Sequence, residues 1–360
     1  MNPEIQTPLP GWLSGSICIR LLSKIYGAAI KRRNSSFEHN PEFLYRSGFP
    51  VISVGGIRAG GTGKTPLTMQ IARYLVSQQF NIAFLSRGYR RASRKDQIVL
   101  PYGKADWQLI GDEPAMLHAN IPQSFLAISS QRVRSAQKLQ QQAPSNTVLL
   151  LDDGFQHRKL RRDLDIVCLN ESILSEKLMP AGYLREPIES LNRANALVLT
   201  GSEDRLSKLK DTASDLSELF KDKAIFIAVQ SVECWVNAFT GEQQVEPPFR
   251  EPVAFCGIAR PHRFFQLLNT QGVYPVKKII FPDHHRFSRY DIESIHKLYS
   301  HGLVTTEKDA FRLRNNIFVP ELKLWYLKIK IVFESDSQLN RFNNLISNVV
   351  LNKFKRRRSS

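Results

Sequence analysis

The 360-residue sequence predicts an α/β protein: a parallel sheet with helices on both faces, then a smaller second α/β unit reached through a β-hairpin linker. Three observations carry this. Short, continuous apolar runs recur between stretches of helical periodicity, as strands buried on both faces require. One such run enters a glycine-rich turn that ends in Gly-Lys-Thr. The alternation breaks at a stretch containing Gly and Pro, and then restarts.

The elements follow in order. Trp12, Leu13, Ile17, Leu21, Ile25 and Ala29 recur at helical spacing, with Ile19, Leu22, Tyr26 and Ile30 widening the apolar face. Arg20, Lys24, Lys31, Arg32 and Arg33 interrupt it. The segment 1–33 is too charged to span a bilayer, which takes about 20 apolar residues. It also lacks the order of a cleavable signal. Two readings fit: an amphipathic helix lying in a membrane interface, or one packed on the protein's own core.

A first domain is expected over 34–231. Its strands are Val51–Gly55, Ile82–Leu85, Phe125–Ile128, Thr147–Leu151, Asp165–Leu169, Ala196–Thr200 and Ala224–Val229. The stretch 232–251, with Thr240-Gly241-Glu242 and Pro247-Pro248, reads as hairpin and linker. A second α/β domain is expected over 252–350, with strands at Val253–Cys256, Lys278–Phe281, Leu303–Thr306 and Leu322–Val332. A basic tail, 351–360, holds Lys353, Lys355, Arg356, Arg357 and Arg358 and reads as a solvated end or a membrane contact.

The composition, 42% hydrophobic and 23% charged, is that of a soluble globular chain. Cys18, Cys168, Cys234 and Cys256 are scattered, so neither a zinc site nor a disulfide framework is expected, and a reducing cytosol fits. A net charge of +17 calls for a polyanionic partner. No RNA-binding signature accompanies it, which points away from nucleic acid and toward an anionic membrane or a phosphorylated substrate.

The chemistry concentrates in the glycine turn, Arg58-Ala59-Gly60-Gly61-Thr62-Gly63-Lys64-Thr65. Glycines let backbone N–H groups curl around a phosphate, the following helix adds its positive end, and Lys64 supplies a mobile charge. Thr65 is placed to coordinate the magnesium that accompanies ATP. This makes the first sheet P-loop NTPase-like. Arg58 stands where the usual pattern has Gly. Leu149-Leu150-Leu151-Asp152-Asp153-Gly154 is a strand running into two acids, and such acids beside a phosphate loop hold magnesium. Gly111-Asp112-Glu113-Pro114, Phe155-Gln156-His157-Arg158 and Phe281-Pro282-Asp283-His284-His285 sit where strand ends would place them. A hydroxyl kinase needs a carboxylate or His to orient its nucleophile, so Asp112, Asp283 and His284 are candidates. Each has a plainer alternative: a helix cap for Asp112, a surface turn for Asp283 and His284.

Together these segments resemble one family. Gly60 to Pro66, Ser86-Arg87-Gly88-Tyr89, Gly111 to Pro114 and Leu151 to His157 match, as do Arg162 to Val167 and Pro180-Ala181-Gly182-Tyr183-Leu184-Arg185-Glu186-Pro187. Phe255 to Pro261, Phe281 to His284 and Val304 to Ala310 continue the match in order along nearly the whole chain. The sequence is similar to the tetraacyldisaccharide 4'-kinases, the lipid A 4'-kinases. Its one departure is Gly56-Ile57-Arg58, where the family more often shows Asn, Leu and Thr.

That resemblance implies phosphorylation of the 4'-hydroxyl of an acylated diglucosamine 1-phosphate by ATP with Mg²⁺. The setting would be the cytosolic face of an inner membrane, with the protein peripheral and a monomer expected. It implies Asp112 as catalytic base supported by His284, with Asp283 nearby and Lys64 and the loop on the phosphates. It further implies Thr65, Asp152 and Asp153 on the metal, and His157, Arg185 and Glu186 on the substrate. Two other classes stay open: a deviant P-loop ATPase switch, although Ala59 stands where those carry a signature lysine, and a nucleotide-gated membrane-binding module. In the kinase reading Asp112 faces the phosphate loop across an open cleft, Asp283 and His284 stand on the opposite wall, and closure brings His284 toward Asp112.

Overall fold

Five consecutive buried residues, Val51–Gly55, form β1, and the rest of the fold is arranged around this strand. The computed structural model describes residues 17–89, 91–93, 95–297, 302–314 and 323–358. Among these, 13 strands share one sheet. β1 lies between β5 (Thr147–Asp152) and β6 (Leu164–Leu169), parallel to both. β2 (Asn81–Ser86) and β4 (Phe125–Ile128) extend the sheet on the β5 side, ending on a short antiparallel edge strand, β3 (Gln97–Val99). β7 (Ala196–Gly201) and then β8 (Ala224–Asn237) extend it on the β6 side. The chain leaves β1 for β2 on one side and leaves β5 for β6 on the other, which opens a crevice at the carboxyl ends of β1 and β5.

Helices cover both faces. α2 (Lys64–Ser77) buries Leu67, Ile71 and Leu75 against one, joined there by Phe84, Val148 and Leu150. α5 (Arg132–Gln142) and α6 (Leu206–Leu219) cover the other. Strands buried on two faces cannot alternate, which is why these segments read as unbroken apolar runs.

β8 is the structural hinge of the sequence. Its first residues, Ala224 to Val229, pair in parallel with β7, and Ala228 to Asn237 pair antiparallel with β13 (Leu324–Phe333) across an irregularity at Lys328/Ile329. Phe226 and Ala228 sit in the first core, while Cys234 and Val236 sit in a second, with Phe255, Leu303 and Tyr326. The hairpin strand β9 (Gln243–Gln244) folds back on β8 as the sequence led one to expect, but the linker does not start at 232: β8 runs unbroken through that position. β10 (Val253–Cys256), β11 (Lys277–Ile280) and β12 (Leu303–Thr306) are parallel to β13. They therefore run opposite to β8, and their carboxyl ends point back toward those of the first lobe. α7 (Pro261–Thr270), α8 (Arg289–His296) and α9 (Glu307–Arg314) complete the second lobe.

The last helix corrects two expectations. α10 (Asp336–Arg358) places Phe342, Ile346 and Val350 in the first core, so 336–350 belong with the first lobe rather than the second. Burying such side chains is worth about 1.5–3 kcal/mol each. The basic run is likewise neither disordered nor free: it continues α10, Lys353 pairs with Asp163 at 3.1 Å, and Arg357 donates to the Ser145 carbonyl. Ser359 and Ser360 lie outside the described residues.

At the other end, Trp12 and Leu13 also lie outside the described residues. α1 (Ile17–His39) splits the apolar face expected of it. Ile19 is buried and Tyr26 and Ile30 are half-buried against the first lobe, whereas Ile17, Leu21, Leu22 and Ile25 point outward and are more than half exposed. Polar bonds fix the docked side: Ser23 Oγ donates to the Leu178 carbonyl at 2.8 Å, and Tyr26 donates to the Arg185 carbonyl at 2.9 Å. No helix among the described residues is long and apolar enough to cross a membrane.

Candidate functional site

The phosphate loop is strapped before it reaches its glycines. The Arg185 N–H donates to the Ile57 carbonyl at 2.6 Å, and the Ala59 N–H donates to the Tyr183 carbonyl at 2.8 Å. Arg58 donates to Glu176 at 2.9 Å and stacks over the Tyr183 ring at 4.5 Å. Arg58 and Ala59, expected among the nucleotide-binding residues, are thus committed to shaping the loop: the Ala59 amide and the Arg58 Nε–H are already bonded. Gly60 and Gly63 adopt φ of 88° and 71°, left-handed conformations that side chains resist. Gly60 to Thr65 is the stretch left to curl around a phosphate. Thr200 donates to the Thr62 carbonyl at 2.7 Å and holds the loop against β7.

At the end of β5 the two acids take different roles. Asp152 is buried and accepts from Thr68 at 3.3 Å. Burial, with Glu113 and Asp153 adding like charge, raises its pKa to about 7. Asp153 meets Lys64 at 3.5 Å and Arg185 at 2.8 Å. Burial works against its ionisation, but Lys64 and Arg185 prevail and hold it well below the usual carboxylate range. A buried carboxyl pushed up by its neighbours is relieved by a divalent cation, and an all-oxygen set of Asp152, Asp153 and Thr65 suits a hard one. The residues therefore fit Mg²⁺. Buried Arg132 faces the same acids, its pKa lowered to about 10 chiefly by burial. Sequence reasoning did not single it out.

The second cluster joins the lobes. Asp112 opens α4 (Asp112–Asn120), and His284 follows β11 in a left-handed conformation (φ 61°). Asp112 Oδ2 lies 3.1 Å from His284 Nδ1. The contact expected only after closure is already made, because Arg312 on α9 draws the lobes together. Its Nε donates to Asp112 at 2.9 Å, its Nη2 bonds the same oxygen, and its Nη1 pairs with Asp309 at 2.7 Å. Lys308 adds a cation 3.8 Å from Asp112 and pairs with Glu113 at 2.9 Å. Burial opposes the ionisation of Asp112, yet His284, Lys308 and Arg312 together hold it far below the usual range. Asp283 stands 3.8 Å from His284 Nε2 on the more exposed side of the ring. It flanks His284 rather than Asp112. Arg312 and Lys308 were missed in the sequence, although Lys308, Asp309 and Arg312 fall on one helix face by spacing alone.

The three expected substrate residues separate. Arg185 reaches into the site through Asp153. His157 lines a cleft of about 280 Å³ between α1, the start of α5 and the loop after β5, with Arg33, Phe37, Gln156, Arg158 and Lys159. Burial and the surrounding cations push its pKa down to about 3, so it is neutral at physiological pH. Glu186 is the correction. Its carboxylate is buried and taken by Asn34 at 2.8 Å, Gln156 at 3.0 Å and Arg193 at 2.8 Å. It fastens α1 to the lobe and offers no surface to a substrate.

Known proteins share this architecture. The family model for tetraacyldisaccharide-1-P 4'-kinase, LpxK, matches residues 16–347. The tetraacyldisaccharide 4'-kinase of Porphyromonas gingivalis is 33% identical over 340 residues, covering 88% of this chain and 93% of that one. That of Aquifex aeolicus is 33% identical over 328 residues, covering 89% and 95%. A crystal structure of Aquifex aeolicus LpxK, an "apo" form in complex with ATP, aligns with a TM-score of 0.75 at 31% identity. That alignment covers 91% of this chain and 97% of that one.

Proposed function

The chain belongs to the tetraacyldisaccharide-1-P 4'-kinase family, and we infer on that premise that it is an ATP-dependent phosphotransferase acting on the 4'-hydroxyl of tetraacyldisaccharide 1-phosphate in lipid A biosynthesis. The observation that carries the assignment of its site is the Asp112–His284 pair, in which the second lobe delivers His284 to a buried carboxylate of the first.

Gly60 to Thr65 cradle the ATP phosphates, and Lys64 neutralises charge on them. Thr65, Asp152 and Asp153 would hold Mg²⁺, which when bound supplies positive charge to the β- and γ-phosphates. Asp112, held ionised, accepts a hydrogen bond from the 4'-hydroxyl and orients its oxygen toward the γ-phosphorus. As the new P–O bond forms and the bond to ADP breaks, the hydroxyl proton passes to Asp112. His284 fixes the carboxylate and limits its rotation. Arg185 ties Asp153 in place, and neutral His157 lines the adjacent cleft where the sugar would lie.

The exposed apolar side of α1, rimmed by Arg20, Lys24, Lys31 and Arg32, suits an anionic bilayer surface. We place the enzyme as a peripheral protein at the cytosolic face of the inner membrane, where its lipid substrate resides. The test is transfer of labelled γ-phosphate from ATP to a purified disaccharide monophosphate. Product is expected only with both substrates and magnesium. ATP hydrolysis without transfer would favour a nucleotide switch, which family membership disfavours.

A further inference from the structure

Beside Gly60 the loop carries no side chain, and the second lobe fills that approach with cations. Arg260, the residue before α7, puts Nη2 and Nε 3.7 and 3.9 Å from the point a Cβ would occupy on Gly60. Arg58 Nη1 comes within 3.8 Å of the same point. Arg263, in the first turn of α7, donates to the Gly61 carbonyl at 3.2 Å and so pins the start of α7 to the loop. Guanidinium groups repel one another at such range unless an anion sits among them. Arg58 is neutralised by Glu176. No hydrogen bond or ion pair holds the Arg260 head group among the described residues.

In a phosphate loop the chain arrives beside the terminal phosphoryl group and leaves through the helix N-terminus, whose amides take the inner phosphates. Gly60 is on the arriving side and Lys64 on the leaving side. We propose that Arg260 is an arginine finger supplied in cis by the second lobe, contacting the transferring phosphoryl group of ATP, with Arg263 as the positioning residue that keeps α7 on the loop. The inference rests on the kinase reading. Arg260 forms and breaks no covalent bond. Its planar fork donates to the γ-phosphoryl oxygens while charge shifts onto the bridging oxygen of the departing ADP. It also couples the lobes: Arg260 and His284 leave or reach the site together, so the phosphoryl group is activated only when the acceptor's carboxylate is in place.

Two measurements on Arg260→Ala and Arg260→Lys test this. The first is steady-state transfer from ATP to the disaccharide monophosphate. The alanine variant should lose about 10³-fold in kcat, the low end of what such arginines supply, with the KM for ATP moved less than about threefold because the ground-state phosphates stay on the loop. Lysine should not restore it, since a point charge cannot span two oxygens. The second compares binding of ADP with that of ADP plus aluminium fluoride, a mimic of the transferring group. The wild-type protein should bind the mimic more tightly than ADP, and both variants should lose that increment while keeping ADP affinity and melting temperature. The proposal fails if kcat in Arg260→Ala stays within about threefold of wild type, or if ADP affinity falls in step with kcat. Failure of the kinase reading looks different: the wild-type protein transfers nothing to the acceptor, while the aluminium fluoride comparison still reads Arg260. Arg263→Ala should lower kcat less than Arg260→Ala, and Arg263→Lys should recover part of that loss.

Discussion

A buried carboxylate is costly unless cations meet it, and Asp112 is met by Arg312, Lys308 and the imidazole of His284. Such a group orients a hydroxyl well and accepts its proton only as the phosphoryl bond forms. Asp112→Ala should therefore lower kcat by about 10³-fold with little change in ATP affinity. His284→Ala should cost less, because His284 acts through Asp112. The double variant should lose no more than Asp112→Ala alone, and additive losses in kcat would show that His284 contacts the reacting atoms independently. Lys64→Ala should lose about 10³-fold in transfer with the fold retained and at most a small drop in melting temperature, because its charge serves the phosphates more than packing and Arg185 still meets Asp153. A turnover near wild type would remove Lys64 from the reaction. His157 is a different kind of group. Its folded-state pKa of about 3 lies below the value of 6.5 it has unfolded, so the unfolded chain takes up the proton first. The stability this withholds is absent above pH 6.5 and grows as pH falls toward 3, by up to about 1.4 kcal/mol per pH unit. His157→Gln should thus gain on the wild type between pH 6.5 and 4 in urea melts, with the difference between the two flat above pH 7.

Among the elements, α1 carries the prediction most directly tied to its packing. Its polar bonds to Leu178, Arg185 and Glu186 keep it docked without help from the outward apolar side. Replacing Ile17, Leu21 and Ile25 with Ser should leave the fold and the transfer to detergent-dispersed acceptor intact. Affinity for anionic vesicles should drop by about 100-fold or more, since each such side chain is worth about 1.5–3 kcal/mol when buried. Equal loss in detergent and vesicles would make α1 simply part of the fold. The helix also shows what a sequence withholds. Its periodicity marked an apolar face, but Ile19 and Ile25 both belong to that face and only contact with the lobe decides that Ile19 is buried. The β1–loop–α2 unit and the acids ending β5 were legible because strand, glycines and charges lie within a few residues of one another. The bond from Arg312 to Asp112 spans 200 residues and that from Arg263 to the loop spans 202, and no local pattern registers such pairs. The edge strand β3 was missed for a related reason: Gln97–Val99 is too short and half-buried to stand out.

For the molecule as a whole, the question is what holds two cores on one sheet in register. The β8–β13 ribbon links them on one side, and a ribbon twists easily. Across the crevice the link is polar: Arg312 on Asp112, Lys308 on Glu113, Asn120 on Glu307, and Arg263 on the loop. Arg312 dominates, being almost fully buried and bonded to two carboxylates and to the Gly257 carbonyl. Removing it strands two buried carboxylates, so Arg312→Met should cost about 3–5 kcal/mol in urea melts. Nucleotide binding should survive, because Lys64, Thr65 and Asp152 belong to the first lobe and keep their own supports. Transfer should fall by about 100-fold or more, since an orientation error near 1 Å between acceptor and phosphoryl group is enough for that. Adding Asp112→Asn and Asp309→Asn to Arg312→Met removes the stranded charges. Stability should then return toward wild type, which assigns the loss in Arg312→Met to the stranded charges. The role of Arg312 in aligning the lobes is read from transfer in Arg312→Met itself, because Asp112→Asn removes the proton acceptor and lowers transfer on its own. If Arg312→Met melts within about 1 kcal/mol of wild type and still transfers phosphate, the lobes are aligned by the ribbon alone, and the polar contacts across the crevice follow that alignment without setting it.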